Sequence, residues 1–378
     1  MLNLRVMKIA IEAQRIFRTK KHGMDFVALE MIRELQKADT VNEYWIIVAP
    51  GDDVCLQETP NFHIVTLSSG FYPLFEQVLL PREVRRIKPD LLHCTSNTAP
   101  LFPGCPLVVT LHDVIFLEKE AARNSSTYQR LGRIYSRFVV PKIIKKAKRI
   151  ITVSKYEKSR ITQVTGLPES KVSVVYNGFG TEFNLQAAEK SAGVASPGEY
   201  IFFLGAPNPK KNPVGTLKAY AEYLDRSKQK LPLRIADMDK ELVRTMLQSF
   251  GREDVLEHIE CPGYIPHSAL PAAYGGAAAF LYTSLRESFG IPQLEAMACG
   301  TPVIVSNTSA LPEIAGEGAL TVDPASPAAI ADALLRLEED EAFRAEVINY
   351  GLKRIDAFSW KKTAEGAAAI YKEVISAK

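Results

Sequence analysis

Short apolar runs alternate with longer amphipathic segments along the first half of the chain. The apolar runs are MKIAI (7–11), YWIIVAP (44–50), FHIVTL (62–67), DLLHCTS (90–96) and LVVTLHD (107–113). Each has the length and composition of a buried strand, and the segments between them carry apolar residues mostly at helical spacing. Strands that alternate with helices in this way predict a parallel sheet covered by helices.

The same alternation begins again after residue 198, with predicted strands at 199–205, 231–237, 277–284 and 302–306. Residues 185–198 contain few large apolar side chains and are interpreted as a linker. The 378 residues exceed what one hydrophobic core usually supports. We therefore predict two α/β domains with a terminal helical segment, over residues 1–184, 199–357 and 358–378.

The stretch from Ala277 to Pro324 carries the most specific pattern. It predicts a strand, a polar loop, a helix that begins at Pro292 and ends at Gly300, and a second strand. In a parallel sheet, the loop after a strand's carboxyl end faces the ligand crevice, and the following helix directs its unpaired N–H groups there. That loop carries the four residues Glu287, Ser288, Phe289 and Gly290.

Glu287 lies in this loop, and Glu295 lies in the first turn of the predicted helix. A carboxylate accepts hydrogen bonds from two hydroxyls of a vicinal diol, as found in a ribose or a hexose. The helix N-terminus and the N–H groups around Phe289 and Gly290 offer a complementary anion site. Together these groups fit a sugar diphosphate. Alternatively, Glu295 complements the helix dipole and Glu287 is a solvated loop charge.

The sequence ESFGIPQLEAMACGTPVI, followed by LPEIAG, resembles the E-x7-E signature of the retaining glycosyltransferases of family 4. The resemblance implies the GT-B architecture, in which two Rossmann-like, doubly wound parallel-sheet domains face each other across a cleft. It also implies that Glu287 contacts the donor hexose and Glu295 the nucleotide ribose. Phe289 and Gly290 would bind the donor through backbone N–H groups, with Ser288 beside them.

The loop APNPKKN carries Lys210 and Lys211 just before a helix predicted to open at Pro213, with Asn212 as its N-cap. In the family that this chain resembles, the corresponding basic pair binds the donor diphosphate and offsets the charge of the leaving group. Ala206 stands where some members carry an arginine, so one phosphate contact is missing. An assignment of both lysines to the solvated surface stays open.

Four further site residues follow from the resemblance. His112, at the carboxyl end of a predicted strand, would lie at the donor sugar and the acceptor. Gly23 lies in a loop close to the donor, although His22-Gly23-Met24 departs from the usual small-residue turn. Tyr264 and Ile265, in GYIP, would border the nucleotide base. A structural role for His112, and a turn with an apolar plug for the GYIP residues, are the alternatives.

No metal and no cofactor are expected beyond a GDP- or UDP-sugar donor. Asp237-Met238-Asp239 matches the D-x-D that holds a metal in GT-A enzymes, but we interpret it as coincidental because the lysine pair serves the diphosphate. The five cysteines are scattered and form no C-x-x-C, so they suggest neither a disulfide framework nor a zinc site. A reducing cytoplasm fits them best.

The amino-terminal half is basic. Residues 1–184 hold 26 Lys and Arg against 18 Asp and Glu, and the remainder holds 20 against 25. A basic half fits an anionic acceptor or a membrane surface, or simply solvated lysines. No basic block interleaved with aromatic residues points to nucleic acid. With no signal-peptide-like or 18-residue apolar run, we expect a cytoplasmic protein, and peripheral contact with the inner face of the membrane is a further hypothesis.

The sequence thus predicts a retaining, metal-independent glycosyltransferase that moves a mannose- or glucose-type hexose from a nucleotide diphosphate sugar to a glycan or lipid-linked acceptor. Bacterial surface polysaccharide biosynthesis is the expected setting. A GT-B nucleotide-sugar epimerase is one alternative, although such enzymes lack the E-S-F-G…E arrangement. A non-catalytic partner subunit of another transferase is the other, and the presence of both glutamates and both lysines speaks against it.

Overall fold

The computed structural model describes residues 5–117, 127–191 and 198–377. The chain divides into two compact units, one of residues 1–178 with 359–378 and one of residues 179–358. The division falls between Gly178 and Phe179, a few residues before the sequence-based boundary at 184.

The first unit contains a parallel sheet in the order β3-β2-β1-β4-β5-β6-β7. Its strands are β1 (Lys8–Glu12), β2 (Glu43–Val48), β3 (Phe62–Thr66), β4 (Leu91–Cys94), β5 (Leu107–Thr110), β6 (Arg149–Thr152) and β7 (Val172–Val174). The central strands read as continuous apolar runs because helices cover both faces of the sheet.

Helices flank this sheet on its two faces. They are α1 (Gly23–Ala38), α2 (Tyr72–Leu74), α3 (Leu80–Ile87), α4 (Thr127–Lys146) and α5 (Lys155–Thr165), and a π-helical turn, Phe75–Leu79, joins α2 to α3. Apolar residues of α1 pack into one core cluster, and those of α3 and α4 pack into another. The segment after the loop that follows β3 is therefore one continuous helix of α–π–α type.

The second unit has a parallel sheet in the order β10-β9-β8-β11-β12-β13. Its elements are α6 (Leu185–Ser191), β8 (Tyr200–Leu204), α7 (Pro213–Arg226), β9 (Leu233–Ala236), α8 (Lys240–Gln248), β10 (Ile259–Gly263), α9 (Leu270–Gly275), β11 (Ala277–Tyr282), α10 (Ile291–Ala298), β12 (Val303–Ser306), α11 (Leu311–Ala315), β13 (Leu320–Val322), α12 (Pro327–Glu339) and α13 (Glu341–Arg354). The order reverses direction between β8 and β11, which is where open α/β sheets bind ligands.

The predicted linker begins as a helix. Residues 185–191 form α6, and Ala188 on it is buried. A Cβ placed on Gly275 of α9 would lie 2.5 Å from the Cβ of Ala188, so the two helices approach closely at small residues. The small side chains that suggested a linker instead permit this packing. Residues 192–197, the rest of that prediction except Gly198, lie outside the described residues.

The last helix, α14 (Trp360–Ser376), belongs to the first unit and packs against α1. His93 on β4 bonds through Nδ1 to the Tyr371 hydroxyl on α14 at 2.6 Å. Gly178 packs against the start of α14. A Cβ on it would lie 2.1 Å from the backbone nitrogen of Trp360, so this position requires glycine. Trp360, the first residue of α14, is buried.

Candidate donor site

Lys211 and Glu287 meet at the carboxyl edge of the second sheet. They follow β8 and β11, which are neighbouring strands. Lys211 donates from Nζ to Glu287 Oε1 at 2.7 Å, and the Leu285 N–H donates to the Lys210 carbonyl at 2.7 Å. The Lys211 and Glu287 side chains remain 30% and 17% exposed. A cation and a carboxylate thus share one solvent-accessible position beyond the switch in strand order.

Tyr282, the last residue of β11, contacts the side chain of Glu287. Its side chain is buried, its hydroxyl bonds the Glu287 carboxylate, and its ring centroid lies 5.3 Å from Lys211 Nζ. Burial, and then the charge of Glu287, raises the pKa of Tyr282 well above its usual value, so the phenol stays a donor. The Glu287 N–H in turn donates to Ser309 Oγ at 3.1 Å.

The loop before α10 depends on a glycine. Gly290 has φ 97° and precedes the first helical residue, Ile291. A Cβ there would lie 2.6 Å from Gln293 Nε2 and 2.7 Å from Leu311 Cδ2, in a backbone region that is strained for other residues. Phe289 is buried with its ring edge-on to Phe358, centroids 5.8 Å apart, so only its backbone is a candidate for donor contact.

The predicted start of this helix at Pro292 was wrong by one residue, because Gly290 takes the left-handed conformation and α10 begins at Ile291. Glu295 therefore lies in the second turn, and the helix-dipole alternative loses support because that effect is confined to the first turn. Ser288 is partly buried in the loop before Gly290.

Glu295 is a buried carboxylate with identified partners. Only 6% of the residue is exposed, and its Oε2 accepts a hydrogen bond from the Tyr274 hydroxyl at 3.2 Å. His267 Nε2 lies 3.8 Å from Glu295 Oε1, and His267 Nδ1 lies 3.5 Å from Glu182 Oε1. Burial, and then the charge of Glu295, raises the pKa of Tyr274 well above its usual value. The carboxylate is thus held in place by a permanent donor.

The lysine loop forms a 3-10 turn over Pro209–Lys211, and Asn208 Oδ1 accepts from the Lys210 N–H at 3.1 Å. Asn212 stands at the N-cap position of α7, but its side chain makes no capping bond there. Its Nδ2 donates instead to the Pro324 carbonyl at 2.9 Å, which ties the lysine loop to the segment after β13.

Tyr264 and Ile265 follow the edge strand β10. Tyr264 is 77% exposed and Ile265 is half-buried, so the tyrosine ring is accessible to a ligand in this unit. One aspartate of the D-x-D, Asp239, has a structural role. Its Oδ1 accepts a hydrogen bond from the Leu242 N–H at 2.8 Å and caps α8. Within the described ranges, no three His, Cys, Asp or Glu side chains cluster as metal ligands would.

Two predicted site residues, His112 and Gly23, belong to the first unit. His112 follows β5, is buried, and donates from Nε2 to the Thr95 carbonyl at 2.9 Å. Burial lowers the pKa of His112, so the ring is neutral and Nδ1 is its acceptor nitrogen. Gly23 is the exposed first residue of α1, and an added Cβ would meet nothing within 4 Å. Its position therefore does not demand glycine.

Sequence reasoning missed a buried carboxylate at the end of β1. Glu12 is only 3% exposed, and its Oε1 accepts from the Gln14 N–H at 2.9 Å. Burial, with a further contribution from the charge of Glu76, raises the pKa of Glu12 to about 7. An acidic residue that closes an otherwise apolar strand at its carboxyl end was the available signal.

This shift predicts a pH-dependent stability. The pKa of Glu12 rises from 4.5 in the unfolded chain to about 7 in the folded one, so its contribution is complete below pH 4.5 and is lost as pH rises through 7. The loss amounts to about 3 kcal/mol at 1.36 kcal/mol per pKa unit. Between pH 5 and pH 8, Glu12→Gln should therefore gain stability relative to the wild type in urea unfolding. Asp52→Asn, at an exposed loop position after β2, should not, and a parallel response of both variants would contradict the assignment.

Two family models match the chain. The model of glycosyltransferase family 4 matches residues 22–183, and that of the glycosyl transferases group 1 matches residues 186–354. Since the two matches together span most of the sequence, the chain belongs to the family 4 glycosyltransferases, and its two parallel-sheet units have the GT-B fold.

The chain is also similar to individual proteins. O-antigen chain mannosyltransferase B of Escherichia coli is 28% identical over 60% of this chain and 61% of its own length. Sucrose-phosphate synthase from Thermosynechococcus elongatus superposes with a TM-score of 0.74 at 19% identity, over 98% and 99% of the two chains. Anabaena HepE in complex with UDP and glucose has a TM-score of 0.70 at 17% identity, over 97% and 99%. The chain spans about three fifths of the length of the first curated relatives that it matches.

Proposed function

We propose that this protein is a retaining, metal-independent glycosyltransferase that moves a mannose- or glucose-type hexose from a nucleotide diphosphate sugar to an acceptor hydroxyl. The observation that carries the proposal is the Lys211–Glu287 contact of 2.7 Å at the carboxyl edge of the second sheet. It brings an ammonium group next to a carboxylate, and a sugar diphosphate offers phosphate oxygens to the first and hydroxyl groups to the second.

Each predicted residue then has a chemical task. Lys211, with Lys210, stabilises the negative charge that develops on the diphosphate as the bond between the anomeric carbon and the phosphate oxygen breaks. Glu287, held by Tyr282, accepts hydrogen bonds from the hexose. Glu295, held by Tyr274, accepts them from the ribose. For the first unit, the roles that the resemblance implies remain proposals: His112 contacts the hexose, and Gly23 lies close to the donor.

No protein nucleophile is assigned. The acceptor oxygen attacks the anomeric carbon on the face that the diphosphate leaves, and the proton of the acceptor hydroxyl passes to the leaving phosphate oxygen. The lysine charge takes over the role that a metal ion has where a D-x-D is used, and Asp239 is occupied as a helix cap.

The acceptor is proposed to be a glycan or a lipid-linked glycan of a bacterial surface polysaccharide, and the enzyme would then work in the cytoplasm, at the inner face of the membrane. This part rests on the similarity to an O-antigen chain mannosyltransferase and on the basic amino-terminal half. The donor is proposed to carry UDP or GDP, with support from the GT-B fold shared with a UDP complex.

Two observables test the reaction type. With a donor of known anomeric configuration, proton NMR of the early product should show the same configuration, and the rate should not change with EDTA. Inversion would refute retention, and a loss of rate restored by a divalent cation would refute metal independence. Epimerisation of the nucleotide sugar without transfer would favour the epimerase alternative, and no turnover would favour a non-catalytic subunit.

A further inference from the structure

Helix α4 carries an apolar stripe on its solvent side. Leu131, Ile134 and Phe138 are 62%, 64% and 59% exposed, and they recur at the spacing of one helical face. The opposite side of the same helix, with Val139, Val140, Ile143 and Ile144, is buried in the core of the first unit. The helix is thus apolar on two sides, and only one of them faces the core.

A second exposed stripe lies on the neighbouring helical segment. Phe71, Leu74 and Val78 are 65%, 44% and 50% exposed. This segment touches α4 through Tyr135, which accepts a hydrogen bond from Gln77 Nε2 at 2.7 Å and packs edge-on to Tyr72, centroids 5.8 Å apart. Both segments cover the same core cluster, so their exposed side chains lie on the outer side of one helical layer.

Basic residues extend the exposed apolar stripe of α4 toward the end of the helix. Lys142 and Lys145 follow Phe138 on the same side of the helix and are exposed. The Lys142 ammonium lies 3.0 Å from the centroid of Phe138, and that of Lys146 lies 4.4 Å from the centroid of Phe102, which is 77% exposed. The sequence of α4 contains basic but no acidic residues.

We propose that this face, called here the α4 face (Phe71, Leu74, Val78, Leu131, Ile134, Phe138, Lys142 and Lys145), docks on an anionic lipid surface. Exposed apolar side chains enter the interface between headgroups and acyl chains, and the lysines pair with anionic headgroups. This mixture of apolar and basic side chains favours a lipid surface over a second copy of the chain, which would bring like charges together. No helix among the described residues is long and apolar enough to span a bilayer.

The inference deepens the proposed function, since a lipid-linked acceptor would be reached from such a surface. It is tested on the full chain by co-sedimentation with vesicles of phosphatidylglycerol and phosphatidylcholine, against vesicles of phosphatidylcholine alone. Binding should require the anionic lipid and weaken with salt. Ile134→Asp/Phe138→Asp should weaken it by about tenfold or more. Lys142→Glu/Lys145→Glu should weaken it by at least about fivefold per residue.

Matched controls are available on the same unit. Val41→Asp/Val54→Asp changes two side chains that are 58% and 64% exposed, and Lys361→Glu/Lys372→Glu changes two exposed lysines of α14. Both controls should bind like the wild type. If the aspartate variant does not fold, Ile134→Ser/Phe138→Ser replaces it.

Equal binding by the wild type and the α4-face variants would overturn the proposal. So would a lipid-free dimer, seen by analytical ultracentrifugation, that the α4-face variants abolish. A thermal shift with nucleotides separates this inference from the proposed function, because the α4 face lies in the first unit and Lys211 and Glu287 in the second. Loss of lipid binding with an intact nucleotide shift supports the docking face, and lipid binding without any nucleotide shift leaves it standing while the proposed donor site fails.

Discussion

Replacing Lys211 by alanine is expected to lower kcat by about two to three orders of magnitude, the usual effect of removing a group that stabilises transition-state charge. The Lys211 ammonium lies 2.7 Å from Glu287 and 5.3 Å from the ring centroid of Tyr282, so two contacts within the second unit orient it. Stability should change little, because a partly exposed ion pair contributes no more than about 1 kcal/mol. The steady-state rate and the melting temperature of the same preparation check both statements.

Lys228→Ala is the matched control, since this exposed lysine lies at the other end of α7. Lys211→Arg, which retains the charge, should recover part of the lost rate. A variant with unchanged kcat and a raised KM would show that Lys211 only holds the donor, contrary to the role proposed here.

Glu287→Gln is expected to lower kcat/KM by about two orders of magnitude or more. A carboxylate accepts hydrogen bonds with both oxygens, whereas the amide turns one of them into a donor that faces Lys211 or Tyr282. Loss of one charge-assisted bond to a hexose hydroxyl, at roughly 1.5–3 kcal/mol, together with loss of the charge on the remaining acceptor, accounts for a fall of this size. Kinetics with varied donor concentration provide the measurement.

Glu317→Gln changes an exposed glutamate of the same unit and should leave the kinetics unchanged. The expected loss at Glu287 should persist at saturating donor, because the hexose contact acts on the reacting sugar. Wild-type kinetics in Glu287→Gln would show that Glu287 is a solvated loop charge with no role in binding the hexose.

The strands could be predicted from the sequence because strands buried on both faces of a parallel sheet read as uninterrupted apolar runs. The run EYIFFLG contains β8, and PVIVS contains β12, within two residues at each end. The position of Lys211 and Glu287 at one edge also followed, since the carboxyl ends of parallel strands share an edge. The order of the strands in each sheet could not be predicted, because it depends on contacts between distant segments.

Local features that depend on tertiary contacts could not be predicted from the sequence. The small residues of α6 resembled a linker, yet they let Ala188 approach Gly275 closely. Tyr282 looked like one more apolar strand residue, and only the fold brings its hydroxyl to Glu287. The helix start before Glu295 depended on the left-handed backbone of Gly290, whose neighbours Gln293 and Leu311 leave no room for a side chain.

Isothermal titration of UDP, GDP and ADP into the full chain, in EDTA, tests the central claim most directly. Glu295→Ala and the control Glu317→Ala are titrated in parallel. The account predicts that one nucleotide binds without metal and that Glu295→Ala weakens its Kd by about tenfold or more, as expected for a lost hydrogen bond to a charged group. The control should match the wild type. Failure of all three nucleotides to bind the folded wild type, or an unchanged Kd in Glu295→Ala, would contradict a donor site at this edge of the second sheet.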